Sequence, residues 1–472
     1  MKKQFLLATI ICCLCYVTSK AQKLKISPNP YYNLIVTKSG AKGVPLQSFI
    51  NGRKGDTIVF IGGRTKGLHN FSGTAFPFST SNTRLQVWCP NTGGMLIPQL
   101  FSAPVPTSFT KTQQLQLSST NMQFCQEEGI IYACGGYGFQ GIVKGDSTYG
   151  TFNGFFAVDA VGLINAIVTG DTLNNSHAKY FTFSKQPNAS DSTMAVTGGE
   201  LVKMGDDFYL VMGNDFQGEY GGKGKHLQRY IDAFTRFHVD YTPGSLKYTI
   251  LDKVVDSNNF HRRDLNIMPV IANDGEPGID VYGGVFTKNT GPWLNPVKIR
   301  MNPQFDPLYF VDTNLTQYFN LYACAHVQMY DKTRDYMYTS FLGGISLYDS
   351  VKTLNAGIPI QSSDTSMPWS NVISSIVRDA NGKYVEYAAD KNNMPQLIGG
   401  EARFIPKRRF LRDDSEEIID YNKVLAFAAA GKTKKINIGF MIGGIIASSG
   451  QGSTASDPAV YDVMLEIKLI GK

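Results

Sequence analysis

The sequence predicts an all-β protein assembled from repeated units of antiparallel strands, and two observations support this fold class. Short apolar runs alternate with polar residues at a period of two along most of the 472 residues, whereas helical periodicity is almost absent. These runs are punctuated by 47 glycines and by many asparagine, aspartate and serine residues. Both observations are typical of short strands joined by tight turns.

One repeated unit consists of a strand, a tight polar turn, a second strand and a pair of glycines. Six units can be recognised, at 45–63, 122–136, 199–213, 267–284, 327–344 and 423–444. In the third unit Met212 replaces the first glycine of the pair. We expect these glycines to be architectural, because a residue without Cβ lets neighbouring backbones approach closely and tolerates a positive φ.

A third strand is predicted after each glycine pair, and a fourth strand must precede the next unit. The third strands are predicted at 85–90, 154–160, 232–240, 296–301, 372–379 and 459–470. Six units of four antiparallel strands predict a six-bladed β-propeller, which leaves only short, protected sheet edges. Seven blades remain an alternative, because the long interval before the last unit contains another glycine pair in LIGGEARFIP (397–406). We interpret that segment as part of an insertion, since no tight hairpin precedes its glycines.

The two ends of the chain are predicted to complete one blade together. The last unit has only three strands before the chain ends at Lys472, and the segment 31–39 is an unassigned strand before the first unit. Pairing of these strands would remove an exposed edge. We therefore expect residues 22–472 to form a single propeller domain closed by its N- and C-terminal strands.

The strands that end in two glycines resemble those of kelch repeats. Their sequences are VFIGG, IYACGG, DVYGG, SFLGG and FMIGG. The resemblance extends over nearly all of the chain after residue 21, and it implies a propeller of the galactose oxidase and kelch type. The units are longer than the kelch repeat of about 50 residues, and the later tyrosine and tryptophan of that repeat are mostly missing. The resemblance therefore implies a fold and no particular catalytic residue.

Residues 1–21 are predicted to be a cleaved secretory signal peptide. Lys2 and Lys3 precede an apolar run at 5–17, and Ser19 and Ala21 provide the small residues of a cleavage site. Alternatives are a short buried helix or a lipid anchor on a cysteine of this run. We expect a protein that is secreted, periplasmic or at the cell surface. No later segment has about 18 consecutive apolar residues, so we expect no membrane span.

Charge and cysteine content argue against several classes of partner. The formal net charge of +7 includes three lysines of the predicted signal peptide, and there is no dense basic stripe, so we expect no nucleic acid ligand. Four cysteines follow residue 21, and neither they nor the six histidines have metal-ligand spacing. We therefore predict no metal and no cofactor. One disulfide and four free thiols both remain open.

Function is expected on the face of the propeller that carries the longer loops, which follow the second and fourth strands of each unit. The candidate ligand-binding residues are His69, Tyr137, Asp215, His226, Arg262, Arg263 and His326. Arginine beside aromatic residues suits a carboxylate-bearing or carbohydrate ligand, through forked hydrogen bonds and ring stacking. In particular, Arg262, Arg263 and His326 are predicted to meet at the mouth of the central channel.

Each candidate also has a structural alternative. Arg262 and Arg263 could form an ion-pair network with Asp264, and His326 could be a hydrogen-bonded residue of the channel. The charged segment 407–417 could be a solvated loop that pairs with itself. The sequence has no Gly-x-Ser-x-Gly motif and no cysteine locally paired with a histidine, so no catalytic residue is predicted. We expect a module that binds a glycan, a peptide or a protein partner, and the alternative is an enzyme acting on a sugar or a carboxylate-bearing substrate.

Overall fold

The computed structural model describes residues 26–472 except for ten short segments. These are 70–74, 91–97, 187–190, 221–225, 289–290, 303–305, 354–355, 362–367, 389–392 and 449–458. The predicted signal peptide therefore lies outside the described residues. The fold is all-β with many antiparallel sheets, as predicted, and is consistent with a β-propeller-like architecture.

The repeated units form six sheets, numbered here in chain order, with four antiparallel strands each in the described part of the chain. Sheet 1 contains Ile50–Lys54, Thr57–Ile61, Arg84–Cys89 and Gln99–Pro104. Sheet 2 contains Thr120–Glu127, Ile130–Val143, Phe155–Asp159 and Phe181–Phe183. Sheet 3 contains Glu200–Met204, Asp207–Val211, Ala233–Thr242 and Ser245–Val255. The third strands of these sheets lie where the sequence predicts them.

The other three sheets follow the same order of strands. Sheet 4 contains Asn266–Ile271, Pro277–Tyr282, Val297–Met301 and Pro307–Val311. Sheet 5 contains His326–Asp331, Tyr336–Ile345, Trp369–Arg378 and Tyr384–Ala388, with Ile419–Asp420 parallel to its first strand. Sheet 6 contains Arg403–Pro406, Ile436–Ile442, Val463–Gly471 and, from the start of the chain, Tyr32–Lys42.

The remaining elements are short. Three small groups of strands are Asp146–Thr151 with Asn214–Gln217 and Leu227–Tyr230, Tyr348–Thr353 with Ala356–Gln361, and Leu397–Ile398 with Ile445–Ala447 and Ala459–Val460. The α-helices are Lys111–Gln116, Ala160–Thr169 and Tyr421–Ala430, and the 3-10 helices are Phe78–Thr80, Leu173–Tyr180 and Arg408–Phe410. None of the helices in the described residues is long and apolar enough to cross a membrane.

The first and last strands of the chain pair antiparallel, as the sequence predicts for segment 31–39. Tyr32 lies opposite Gly471, and Lys38 lies opposite Leu465. The buried Tyr32 also hydrogen-bonds through its hydroxyl to Ser340, 2.7 Å away in sheet 5. The N-terminal strand is therefore held both within sheet 6 and against the neighbouring sheet.

The glycine pairs make a recurring contact between consecutive sheets. The N–H of the second glycine donates to a carbonyl that precedes the next first strand, in the pairs Gly63–Ser119, Gly136–Val196, Gly213–Arg262, Gly284–Leu321 and Gly444–Leu46. The first glycine has a positive φ, as at Gly135 (69°). A Cβ at Gly135 would overlap the carbonyl oxygen of Val196, which explains the requirement for glycine. The contact of Gly444 runs from the sixth sheet back to the segment before the first.

The sixth unit departs from the sequence prediction. The segment 423–444 was expected to form two strands, but Tyr421–Ala430 is a helix whose first turn is capped by the Asp420 carboxylate. The alanine-rich run of this helix has high helix propensity, which its apolar character conceals in a search for strands. The first strand of sheet 6 is instead Arg403–Pro406, within the segment that we interpreted as an insertion.

All four cysteines that follow residue 21 are free and buried. Cys125 lies opposite Tyr132, and Cys134 lies opposite Gln123, so these two thiols occupy diagonal positions on neighbouring strands.

Candidate functional site

A narrow channel runs between the first strands of the six sheets. Its lining includes one residue from each of these strands: Asn51, Gln126, Glu200, Ile267, Gln328 and Arg403. An adjoining cavity lies where the same strands begin, lined by Ser48, Asn121, Gly198, Asp264, Cys324 and Glu401. We call this second cavity the mouth. It opens on the face that carries the loops after the second and fourth strands, which is where the sequence predicts function.

Glu401 is the prominent titratable group of the mouth. Its carboxylate accepts a 2.7 Å hydrogen bond from the hydroxyl of Ser48. Desolvation and the nearby Asp264 raise the pKa of Glu401 to about 7. At neutral pH this side chain therefore populates both protonation states, and it can accept or donate a hydrogen bond to a ligand.

The carboxyl groups deeper in the channel differ in how they are neutralised. Glu200 forms an ion pair with Arg403 at 3.2 Å, and the guanidinium of Arg403 lies 4.8 Å from the ring centroid of Phe124. Glu417 lies towards the other end of the channel, where desolvation and Glu200 raise its pKa to about 7. The guanidinium of Arg403, in the middle of the channel, is thus already paired with the carboxylate of Glu200.

A group of phenols surrounds Arg263, which pairs with Asp264 of the mouth. These two side chains form an ion pair at 3.6 Å, and Asp264 also hydrogen-bonds Tyr322. Burial raises the pKa of Asp264, and Arg263 opposes this shift. Arg263 interacts electrostatically with Tyr220, Tyr230 and Tyr322. Arg263 is therefore next to the mouth, as predicted, but its charge is offset by Asp264.

An aromatic cluster stands beside the mouth on an extension of sheet 2. The strand Ile130–Val143 continues beyond its glycine pair and joins the small group of strands that includes Asn214–Gln217. Tyr137 donates to the carbonyl of Gly218 at 2.8 Å and accepts from the N–H of Tyr220 at 3.0 Å. We call Phe76, Tyr137, Phe216 and Tyr220 the aromatic wall. Tyr220 connects this wall to Arg263.

Four of the seven residues predicted from the sequence lie on or next to the aromatic wall. Tyr137 is part of it, and the ring of His69 lies 4.7 Å from that of Tyr220. His226 stacks on Phe216 at 5.2 Å. The nearby Asp215 accepts a hydrogen bond of 2.7 Å from the amide of Gln217. These residues are thus brought together, but largely by contacts among themselves.

His326 occupies a position that agrees with its structural alternative, whereas Arg262 is packed against Trp293 and does not join the ion pair of Arg263 with Asp264. Arg262 is fully buried and lies 4.4 Å from the ring centroid of Trp293, and its Nε donates to the Asn259 carbonyl at 2.7 Å. Contact of Arg262 with a ligand at the mouth would require this packing to open. His326 lines the channel and donates through Nδ1 to the Cys324 carbonyl at 3.0 Å. Burial, together with Arg403, lowers the pKa of His326 to about 4, so it is neutral at pH 7.

Glu401 and Tyr322 were not among the candidates that the sequence indicated. The sequence position of Glu401 could have indicated its place at the mouth. Glu401 lies two residues before the first strand Arg403–Pro406, just as Asp264 lies two residues before the first strand Asn266–Ile271. Recognising Arg403–Pro406 as a first strand would have placed Glu401 at the mouth. In the part of the chain that the structure describes, no three histidine, cysteine or acidic side chains form a group that could hold a metal ion.

No family model and no curated protein matches the chain. A similar solved structure, titled "Structure of YjhT", shares 11% sequence identity and has a TM-score of 0.47. The alignment covers 89% of this chain and 95% of that chain. A similarity of this size carries no argument about function, and the kelch family is not confirmed by it.

The buried carboxyl groups predict how stability changes with pH. Burial raises the pKa of Glu386 to about 8, and the pKa values of Glu401 and Glu417 are about 7, all above the ordinary value of 4.5. Each of these three carboxyl groups therefore stabilises the folded state in its neutral form, fully below pH 4.5. This stabilisation is lost as the pH rises to about 8. We expect a higher melting temperature at pH 5 than at pH 8. Glu386→Gln should reduce the difference, and equal melting temperatures for the wild-type protein would contradict the raised pKa values.

Proposed function

We propose that the protein is an exported six-bladed β-propeller of the kelch type that binds a carbohydrate at the mouth of its central channel. Six blades are supported by the first strands of six sheets around one channel. Ring closure is supported by the pairing of the terminal strands and by the contact between Gly444 and Leu46. Export is supported by the sequence of residues 1–21, and residues 22–472 constitute the one domain of the proposal.

The observation that carries the proposed ligand class is the position of Glu401 at the mouth, beside Asp264 and several phenols. Carboxyl groups accept hydrogen bonds from sugar hydroxyls, and a protonated Glu401 can also donate one. The half-buried ring of Tyr220 offers apolar surface to a sugar ring. A neutral polyhydroxylated ligand suits these groups at the mouth, because Arg263 is already paired with Asp264.

A second candidate is an enzyme that acts on the same class of ligand. The raised pKa of Glu401 favours it, since general acid and base groups work best with a pKa near the working pH. Chemical conversion of a bound sugar, lost in Glu401→Gln while binding persists, would identify this activity.

The proposal is tested by measuring the binding of an array of neutral sugars to the wild-type protein and to two matched variants. Glu401→Gln keeps the shape of the side chain but removes its titration, and we expect binding to weaken about tenfold, equivalent to about 1.4 kcal/mol. Glu417→Gln makes the same change away from the mouth and should bind as the wild type does. Equal binding by Glu401→Gln, or an absence of sugar binding by the wild-type protein, would contradict the proposal.

A further inference from the structure

Arg64 is a buried arginine that has few partners for its charge. It follows the first glycine pair, and its side chain is almost completely buried. One guanidinium nitrogen, Nη2, donates to the hydroxyl of Thr80 at 3.3 Å. The other two nitrogens, Nε and Nη1, are buried without a hydrogen-bond partner. No carboxylate of the described residues forms an ion pair with it.

Most other arginines in the interior have a carboxylate partner. Five of them lie 2.7–3.6 Å from a carboxylate: Arg53, Arg263, Arg300, Arg378 and Arg403. Arg262 has no such ion pair and its Nη2 is also buried without a partner, but its Nε and Nη1 donate to the carbonyls of Asn259 and Gly283. Burial lowers the pKa of Arg64 to about 10, which still leaves it charged at neutral pH. A buried charge without a partner is costly, so its retention needs an explanation.

The surroundings of Arg64 place it next to the mouth. Its backbone N–H donates to the Gln47 carbonyl at 2.9 Å, and Gln47 precedes Ser48 of the mouth. The guanidinium lies 4.5 Å from the ring centroid of Phe76, which belongs to the aromatic wall. Phe76 in turn contacts His69 and Tyr220. The aromatic wall thus borders the site on one side.

From this arrangement we propose that Arg64 is the centre of an oxyanion-binding site beside the mouth, which takes a carboxylate or sulfate group. Each unpartnered nitrogen can pair with the second N–H of Nη2 in the forked geometry in which a guanidinium binds oxyanions. Because both nitrogens are buried, binding requires Phe76 to move away from the guanidinium. The anion is either a free ion or an acidic group on the sugar that occupies the mouth. The binding of a free anion does not depend on the proposed carbohydrate function.

The test measures the binding of four probes by calorimetry at constant ionic strength set with sodium chloride. Free acetate and sulfate test the site without a sugar, whereas glucuronate and neutral glucose show whether the acidic group must be carried by a sugar. We expect acetate and sulfate to bind the wild-type protein, or glucuronate to bind it more tightly than glucose does. Arg64→Met should weaken that binding at least about tenfold, because it removes the charge and keeps a chain of similar length.

Two further variants distinguish a binding role from a packing role. Arg262→Met removes a buried arginine that already has backbone partners, so it should lower the melting temperature and leave anion binding unchanged. Arg64→Met should not lower the melting temperature of the anion-free protein, because the substitution removes a buried charge that has no ion-pair partner and is itself unfavourable. If Arg64→Met does not fold, Arg64→Lys keeps the charge without the fork and should still weaken binding. Anion binding that is absent, or equal in the wild-type protein and the foldable Arg64 variants, would overturn the proposal.

Discussion

Deletion of residues 459–472 is expected to abolish cooperative folding of the protein. The deleted strand, Val463–Gly471, pairs with Ile436–Ile442 on one side and with Tyr32–Lys42 on the other. Its loss removes three side chains that are almost fully buried, Leu465, Ile467 and Leu469. Each is worth about 1.5–3 kcal/mol, and their sum is comparable with the whole stability of a typical domain, about 5–15 kcal/mol.

The deletion also leaves two strand edges unpaired, so the product should aggregate. Size-exclusion chromatography and thermal melting of the soluble fraction measure both effects. Removal of Lys472 alone is the matched control. That exposed residue lies beyond the last strand and donates only two hydrogen bonds, to the carbonyls of Tyr31 and Asn29, so its loss should lower the melting temperature slightly and cause no aggregation. A monomeric deletion product with the melting temperature of the wild-type protein would show that the terminal strands do not hold the fold together.

Gly135→Ala is expected to destabilise the protein by about 2–6 kcal/mol. The substitution combines a left-handed backbone, costing about 1–3 kcal/mol, with overpacking that typically costs a further 1–3 kcal/mol. The added Cβ would collide with the Val196 carbonyl, which accepts the N–H of Gly136 where sheet 2 meets the segment before sheet 3. Denaturant unfolding measures the change in the free energy of unfolding.

Gly170→Ala is the control for Gly135→Ala. Gly170 ends the helix Ala160–Thr169 with a φ of 78°, but no atom lies within 4 Å of the position of its Cβ. In this variant only the left-handed backbone is unfavourable, so the free energy of unfolding should fall by about 1–2 kcal/mol. Equal losses of the free energy of unfolding in the two variants would mean that the close approach of neighbouring backbones does not explain the recurring geometry of the glycine pairs.

Much of the fold could be predicted from the sequence because its signals are local. A strand that ends in two glycines is visible without any partner, and the six pairs mark the boundaries of the sheets. The helix Tyr421–Ala430 was missed because an apolar run of alanine and leucine satisfies a strand pattern as readily as a helix pattern. That one error also hid Arg403–Pro406, and with it the position of Glu401.

The candidate site could be predicted only in part, because the decisive property was the direction of each side chain. Arg262 and Arg263 are adjacent in the sequence, yet Arg262 packs against Trp293 while Arg263 pairs with Asp264 beside the mouth. The sequence cannot distinguish the two, since both precede the same strand. The lack of an ion pair at the buried Arg64 could not be predicted from the sequence either, because it depends on packing and not on composition.

A crystal structure of the protein with a bound neutral sugar would locate the ligand. We predict that the sugar lies at the mouth of the channel, with a hydroxyl within hydrogen-bond distance of Glu401 and its ring against Tyr220. A sugar bound instead at the outer strands of the sheets, or within the channel next to Glu417, would contradict the proposed site.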